Sequence, residues 1–346
     1  MKNNEETITE TQDWFTISSY PLLRIIKEND RHYTYESKDT EWVGVVVKVA
    51  KNEKSSAILK EEIIRIEAMR WEFISWPMLI AQWENFFVMR KYEISAREYV
   101  SALEGKISES HEDPREALRL LSILEWGFSS IIKGCREILK SWLREKERAI
   151  AEKEAKKRAL KYLSKIIAEG FRQKIGNIVW FASEERKIPE IPVSLIIKAF
   201  LKFMSYNPSQ NDIAINHACL HLDHLYVWDD ESAEFVAIDW EHSALQPYRY
   251  EYLDEAYVFQ NLLQRHSEQS ALNFYIRFCG ELTEKASHKD IKIETDKVRA
   301  IFIKKLLWWL YEMLSDKTNN PEPWEKIWLH LKYLEIFLEN KDICSI

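Results

Sequence analysis

Between residues 22 and 50 the chain is built from short runs rich in β-branched and aromatic residues. LLRIIKE (22–28), HYTYES (32–37) and WVGVVVKVA (42–50) are set apart by polar turns such as Glu28-Asn29-Asp30, and each run reads as a strand. The period then changes. In AILKEEIIRIEAMRWEF (57–73) the apolar positions Ile58, Leu59, Ile63, Ile66 and Met69 recur at helical spacing, and Pro77 closes the stretch. LIAQWE (79–84) and NFFVMRKYE (85–93) return to strand character around a short turn. The pattern predicts an α+β chain with two lobes. Residues 1–20 are expected to be a flexible N-terminus, 21–93 a small lobe of five strands and one helix, and 94–346 a larger, mainly helical lobe.

The second lobe contains a charged helical insertion at about 136–174, REILKSWLREKERAIAEKEAKKRALKYLSKIIAEGFRQK. Trp142, Leu143 and Ile150, then Leu160, Leu163, Ile166 and Ile167, can pack at its ends. Between 151 and 158 only Ala151 and Ala155 are apolar, which predicts a solvated helix bridging packed parts. Pro189 and Pro192 punctuate the return to SLIIKAFLKFM (194–204). The aromatic stretches IFIKKLLWWLYEML (301–314) and PWEKIWLHLKYLEIFL (323–338) read as packed helices of the lobe's core.

Composition narrows the classes. The 346 residues suffice for two cores, and 46% apolar with 30% charged residues is ordinary for a globular protein. The net charge of −7 offers no basic footprint for nucleic acid, so none is expected as a partner. No apolar run is long enough to span a bilayer, and MKNNEETITETQDW has no apolar core of a secretory signal. Cys135, Cys219, Cys279 and Cys344 are scattered without a C-x-x-C pair, which suits reduced thiols. A cytoplasmic location is expected.

The chemistry is concentrated in INHACLHLDHLYVWDDESAEFVAIDW (215–240). Kinase-type phosphotransferases carry H-x-D-x-x-x-x-N, an apolar strand, a turn, and a second apolar strand ending in a metal-binding Asp. Here His217 opens the pattern, Leu225, Tyr226 and Val227 form the apolar strand, Asp229 and Asp230 mark the turn, and Phe235 to Ile238 lead into Asp239. Cys219 stands at the catalytic Asp and His224 at the metal-binding Asn. Upstream, Lys48 in VVVKVAK stands where such folds keep the lysine that grips nucleotide phosphates and pairs with a Glu of the next helix. A lone lysine on a strand is ordinarily an exposed edge residue, so the context carries this assignment. Glu62 is the expected partner, with Glu61 and Glu67 as rivals. KENDRHY holds no glycine where a phosphate-cradling loop would lie.

These stretches resemble the lipopolysaccharide core (Kdo/heptose) kinase family and, more distantly, the aminoglycoside and choline phosphotransferases. The resemblance runs over 193–260 and, on fewer residues, over 20–92. It implies a two-lobed protein-kinase-like fold and ATP-dependent transfer to an alcohol group of a sugar or glycolipid, with Mg²⁺. The lipopolysaccharide kinases also lack a glycine-rich loop and can carry His at the metal-binding Asn, so His224 fits them. Cys219 departs from them, because the family has Arg-Asp where this chain has Ala218-Cys219. The same resemblance implies that His221 faces the γ-phosphate, Asp239 holds Mg²⁺, Asp254 in YLDEAY anchors the catalytic loop and His217 packs it. For an enzyme of a membrane glycolipid, the basic stretch 153–165 could contact anionic headgroups from the inner face of the membrane.

Three readings follow. The first is a kinase with a modified loop, in which Asp223 takes the proton that Cys219 cannot. The second is a degenerate kinase fold that binds nucleotide or partners without transfer. The third treats HACLHLD as a strand, whose period of two would put His217, Cys219, His221 and Asp223 on one side as a transition-metal set.

Overall fold

The computed structural model describes residues 8–11, 14–17, 20–39, 41, 44–69, 78–110, 113–137, 146–184, 192–229, 234–245, 248–285, 288–315 and 324–339. It opens with an antiparallel meander of β1 (Ile8–Thr11), β2 (Trp14–Ile17) and β3 (Tyr20–Leu22). The sequence predicts a flexible N-terminus over 1–20, yet these strands occupy 8–11, 14–17 and residue 20. Their Thr, Trp, Phe and Ile residues are strong strand formers, which the polar composition around them concealed.

The small lobe follows the expected order. β4 (Arg24–Glu28), β5 (His32–Lys38) and β6 (Gly44–Ala50) precede α1 (Glu53–Met69), and β7 (Leu79–Gln82) and β8 (Phe86–Arg90) follow it. All five strands pair antiparallel, in the order β4-β5-β6-β8-β7. The helix begins at Glu53 instead of 57 because Asn52 caps it, its Oδ1 accepting from the Ser55 amide and its carbonyl from the Ser56 amide, both at 2.9 Å. The predicted helix end at 70–73 and Pro77 lie outside the described residues.

Strand alternation sets what β6 does. Val45, Val47 and Val49 face Phe86 and Val88 under Tyr20, Tyr33 and Tyr35. Val46 and Ala50 face the other way, against Leu59, Ile63 and Ile66 of α1. Lys48 shares that second side, so the fold carries it into the space between sheet and helix.

The large lobe starts at α2 (Ala96–Glu109), where Ser95 and Glu98 form a capping box. α3 (Pro114–Glu137), α4 (Lys146–Ile166), α5 (Arg172–Glu184) and α6 (Val193–Ser205) follow. The charged segment is therefore not one uniform helix: a single wide turn at Ile167–Phe171 joins α4 to α5. Trp142, Leu143, Pro189 and Asp230 lie outside the described residues. On α4, Lys153, Lys157, Lys161 and Lys165 are exposed, and Glu152 pairs with Lys156 at 2.8 Å. Among the described residues no helix is long and apolar enough to cross a membrane.

Short elements then line the junction of the lobes: β9 (Ile213–Ile215), β10 (Leu225–Asp229), β11 (Glu234–Ala237), α7 (Glu241–Leu245) and β12 (Tyr248–Tyr250). α8 (Leu253–Arg265), α9 (Glu268–Lys285), α10 (His288–Ser315) and α11 (Trp324–Leu338) complete the lobe. Phe259, Phe278, Phe302 and Phe337 are fully buried at their meeting point. α8 is buried on all sides, and this central position lets it hold the loop above it.

α2 and α9 are clamped by Glu104. One oxygen accepts from the Ser267 amide at 2.9 Å and from the Ser267 and Ser270 hydroxyls at 2.6 Å, and the other faces His266 Nδ1 at 3.1 Å. Burial raises its pKa, but these hydrogen bonds outweigh burial and bring it down from 4.5 to about 2. Such an acid contributes stability in full above its unfolded pKa and loses it as pH falls toward the folded value. Glu104→Gln is expected to cost about 1–3 kcal/mol at neutral pH. Urea titrations should show that difference shrinking between pH 4.5 and about 2, and a pH-independent difference contradicts the assignment.

Candidate active site

A cleft of about 280 Å³ opens between the lobes. Val46, Phe87, Met89, Tyr92, Tyr226 and Ile238 line its apolar part, and Lys27, Lys48, Glu62, Asp223, His224 and Asp239 its polar part. At the polar end Lys48 Nζ donates to Glu62 Oε2 at 2.8 Å, to Oε1 at 3.1 Å and to Asp239 Oδ1 at 2.9 Å. Burial alone would lower the lysine's pKa, yet the two carboxylates hold it well above the ordinary value, so it stays charged. The rivals for its partner drop out. Glu61 is exposed, and Glu67, also exposed, accepts from Gln82 Nε2 at 3.0 Å. Glu62 flanks the apolar stripe of α1, between Leu59 and Ile66, which turns it toward the sheet.

Asp239 lies two residues past the end of β11, the second strand of the β10–β11 hairpin, in a left-handed conformation, φ 63°. Its Oδ1 accepts from Lys48, its Oδ2 accepts from Lys27 Nζ at 2.7 Å, and His224 Nε2 lies 3.6 Å from Oδ2. Burial opposes ionisation, but Lys48 and Lys27 overcome it and hold the carboxyl far below its usual range. Next along the chain, the Trp240 amide donates to Glu62 Oε1 at 3.1 Å. Glu241 packs on His32 (Nδ1 to Oε2, 3.3 Å) and pairs with Arg31.

The loop 216–224 is fixed from below by α8. Asp254 accepts the His217 and Ala218 amides at 2.7 and 2.9 Å, which holds Ala218 at φ 69°. Burial pushes the Asp254 pKa up to about 7, against the pull of these two donors. His217 Nε2 lies 2.7 Å from the Ile238 carbonyl, which can only accept, so that nitrogen carries the proton. Burial pushes His217 down to about 3, and it stays neutral. By the same logic His224 Nδ1 donates to the Cys219 carbonyl at 2.8 Å, and burial lowers the ring's pKa, which favours the neutral form with its Nε2 lone pair toward Asp239.

Cys219 and His221 stand behind the cleft lining. Burial raises the Cys219 thiol to about 11, so no thiolate is present to take a proton. His221 Nδ1 accepts from Asn261 Nδ2 at 2.8 Å, and burial pushes the ring down to about 3. Asp223 lines the cleft with its side chain 52% exposed, 3.5 Å from Arg97. The strand required by the third reading is not there: β9 ends at Ile215, and Leu222–His224 form a single tight helical turn. His217, His221 and Asp223 therefore meet separate partners in Ile238, Asn261 and Arg97, and among the described residues no group of three or more ligating side chains is placed to hold a metal.

Sequence reasoning missed Lys27, Arg31, His32, Glu241, Asn261 and Lys305. Asn261 was within reach, because Asp254, Tyr257 and Asn261 recur at helical spacing on the face of α8 that meets the loop. Lys305 is nearly buried, with its Nζ 3.5 Å from the centre of the Tyr257 ring, and burial lowers it to about 8. It comes from α10, far along the chain, and no local pattern signals it.

No family model matches the chain, and no curated protein matches it. Among solved structures it is similar to a thermostable mutant of an aminoglycoside phosphotransferase in ternary complex with ADP and hygromycin B. The TM-score is 0.47 at 10% identity, over 94% of each chain. An amicoumacin kinase in complex with AMP-PNP and Ca²⁺ gives 0.46 at 11%, over 95% of this chain and 90% of that one. A Plasmodium vivax ethanolamine kinase gives 0.44 at 12%, over 96% and 84%.

If Glu62 is the partner of Lys48, breaking that buried pair should be severe. Glu62→Gln is expected to cost about 3–5 kcal/mol in urea denaturation. Glu61→Gln and Glu67→Gln should stay within about 0.5 kcal/mol of the parent. Equal effects at all three positions would remove the pair from its assigned role.

Proposed function

We propose that the chain is a nucleotide-dependent phosphotransferase of the kinase type, which binds ATP and Mg²⁺ in the interlobe cleft and phosphorylates an alcohol group of a sugar or glycolipid. The observation that carries this reading is Lys48, charged and buried between Glu62 and Asp239. A structural lysine has no need of that position, because burying a charge is costly even when it is paired. A lysine that must meet a polyanion does need it, since the carboxylates keep the ammonium aimed until phosphate arrives. The apolar part of the cleft suits a flat heteroaromatic base, and the polar part suits its phosphates.

The residues present fit a divalent cation in outline. Asp239 supplies a hard oxygen and His224 an unprotonated nitrogen beside it. Mg²⁺ is commonly held by one or two carboxylates with phosphates and water, so a three-residue cluster is not required. When bound, the ion would neutralise charge on the phosphates. Lys48 would hold the α- and β-phosphates, and the acceptor's hydroxyl oxygen would attack the γ-phosphorus as the bond to the ADP oxygen breaks.

The acceptor's proton needs a destination other than Cys219. Of the cleft's carboxylates, Glu62 and Asp239 are engaged by lysines, whereas Asp223 lies at the partly exposed edge. Asp223 is the group assigned to receive it. A positioned base contributes about 10²–10⁴-fold, and most phosphoryl-transfer catalysis is positioning and charge neutralisation, so an altered base is compatible with a slow enzyme. The protonated Cys219 supports a second reading, a nucleotide-binding protein without transfer.

Calorimetry should detect ATP binding by the parent protein. Lys48→Ala and Asp239→Asn should each weaken it by about 1–3 kcal/mol, as expected for an unpaired buried charge. No binding at millimolar nucleotide excludes both readings. With radiolabelled ATP and lipopolysaccharide core or simple sugars as acceptors, Cys219→Asp should raise turnover and Asp223→Asn should abolish it. If ATP binds while parent and Cys219→Asp are equally inert, the second reading wins. Full activity in Asp223→Asn would mean that Asp223 is not the proton acceptor.

A further inference from the structure

The turn from β4 to β5 contains no glycine between residues 27 and 33, so the sequence carries no sign of a glycine-rich phosphate cradle there. Lys27 stands at its start. The pairing of β4 with β5 slips between Ile25 and Lys27: Ile25 opposes Tyr35 and Lys27 opposes Thr34, leaving Ile26 as an extra residue. Neighbours on a regular strand point to opposite faces, yet Ile26 and Lys27 both line the cleft. The bulge makes this possible by re-aiming the side chain.

As a result, Lys27 Nζ reaches Asp239 Oδ2 at 2.7 Å while Lys48 takes Oδ1 at 2.9 Å. Both oxygens through which Asp239 would hold a divalent ion carry an ammonium. The two lysines differ in freedom. Lys48 is buried and tied to Glu62, whereas the Lys27 side chain is 51% exposed and, among the described residues, bonded only to Asp239. Lys91, which also lines the cleft, is held by Glu36 at 2.8 Å and Glu93 at 3.3 Å.

We propose, building on the nucleotide-binding reading above, that Lys27 is a tethered phosphate-binding cation. It occupies the metal's position on Asp239 in the resting cleft, then swings onto the terminal phosphates of a nucleoside triphosphate in place of a glycine-rich cradle. The bulge at Ile26 is the device that aims it. The site therefore binds triphosphate without a divalent ion, and a divalent ion competes with Lys27 for Asp239.

The test is calorimetric titration of the full chain with ATP and with AMP, each in EDTA and in Mg²⁺. Parent protein should bind ATP in EDTA with an affinity close to that in Mg²⁺. Lys27→Gln should lose at least about tenfold for ATP in EDTA, the size of one charge-assisted hydrogen bond, and recover most of it in Mg²⁺. Lys27→Arg should behave like the parent, and AMP, which lacks the terminal phosphates, should be insensitive to Lys27→Gln. ATP binding by the parent only when Mg²⁺ is present overturns the proposal and leaves the nucleotide site standing. Equal ATP affinities for parent and Lys27→Gln in EDTA do the same. No ATP binding in either condition removes the nucleotide site, and the proposal with it.

Discussion

The contact between Lys48 and the two carboxylates around it is the constraint on which the rest of the molecule depends. Lys48 belongs to β6 and Glu62 to α1, both in the small lobe, whereas Asp239 and the Trp240 amide that also bonds Glu62 come from the large lobe. One buried ion cluster therefore fixes the helix against the sheet and both against the hairpin of the other lobe. Glu241 extends it through His32 and Arg31. In water such contacts would be worth little, but out of solvent the loss of any one member leaves a charge without compensation. The lobes are held in register at the polar end of the cleft.

The second constraint is backbone strain. Ala218 and Asp239 both sit in the left-handed region without being glycine, at about 1–2 kcal/mol each. The two amides donated to Asp254 hold the first, and the lysines on the carboxylate hold the second. Strain of this kind persists where the surroundings over-determine it, and here it turns the loop and the hairpin end toward one cleft. The loop does not depend on the Cys219 side chain, because His217, His224 and Asp254 secure it through backbone groups.

Much of this was legible in the sequence, for identifiable reasons. The small lobe was readable because β6 and α1 differ sharply in hydrophobic period, and Lys48 stood at a fixed point in that order. Glu62 and Glu67 flank the stripe of Leu59, Ile63 and Ile66 at nearly equal angles, so the helical period disfavours Glu61 but does not choose between the other two; the contacts of Lys48 and Gln82 do. The meander at 8–22 was missed because its strands are short and set among polar residues. Lys27 was missed because its direction depends on a bulge, and a one-residue slip in pairing reverses which face a side chain takes. Lys305 and Glu241 join the site through contacts between distant segments, which composition and periodicity do not encode. The metal reading of HACLHLD failed because it assumed a regular strand where the chain forms an anchored loop.

Hydrogen–deuterium exchange of the full chain with and without ATP tests the central claim most directly, because it locates the ligand without assuming a reaction. The account predicts slowed exchange in 24–28, 44–50 and 234–241, the segments that meet at Lys48 and Asp239, with little change in the α9–α11 core. Protection confined to the helical lobe, or no change in those three segments at saturating ATP, would contradict it.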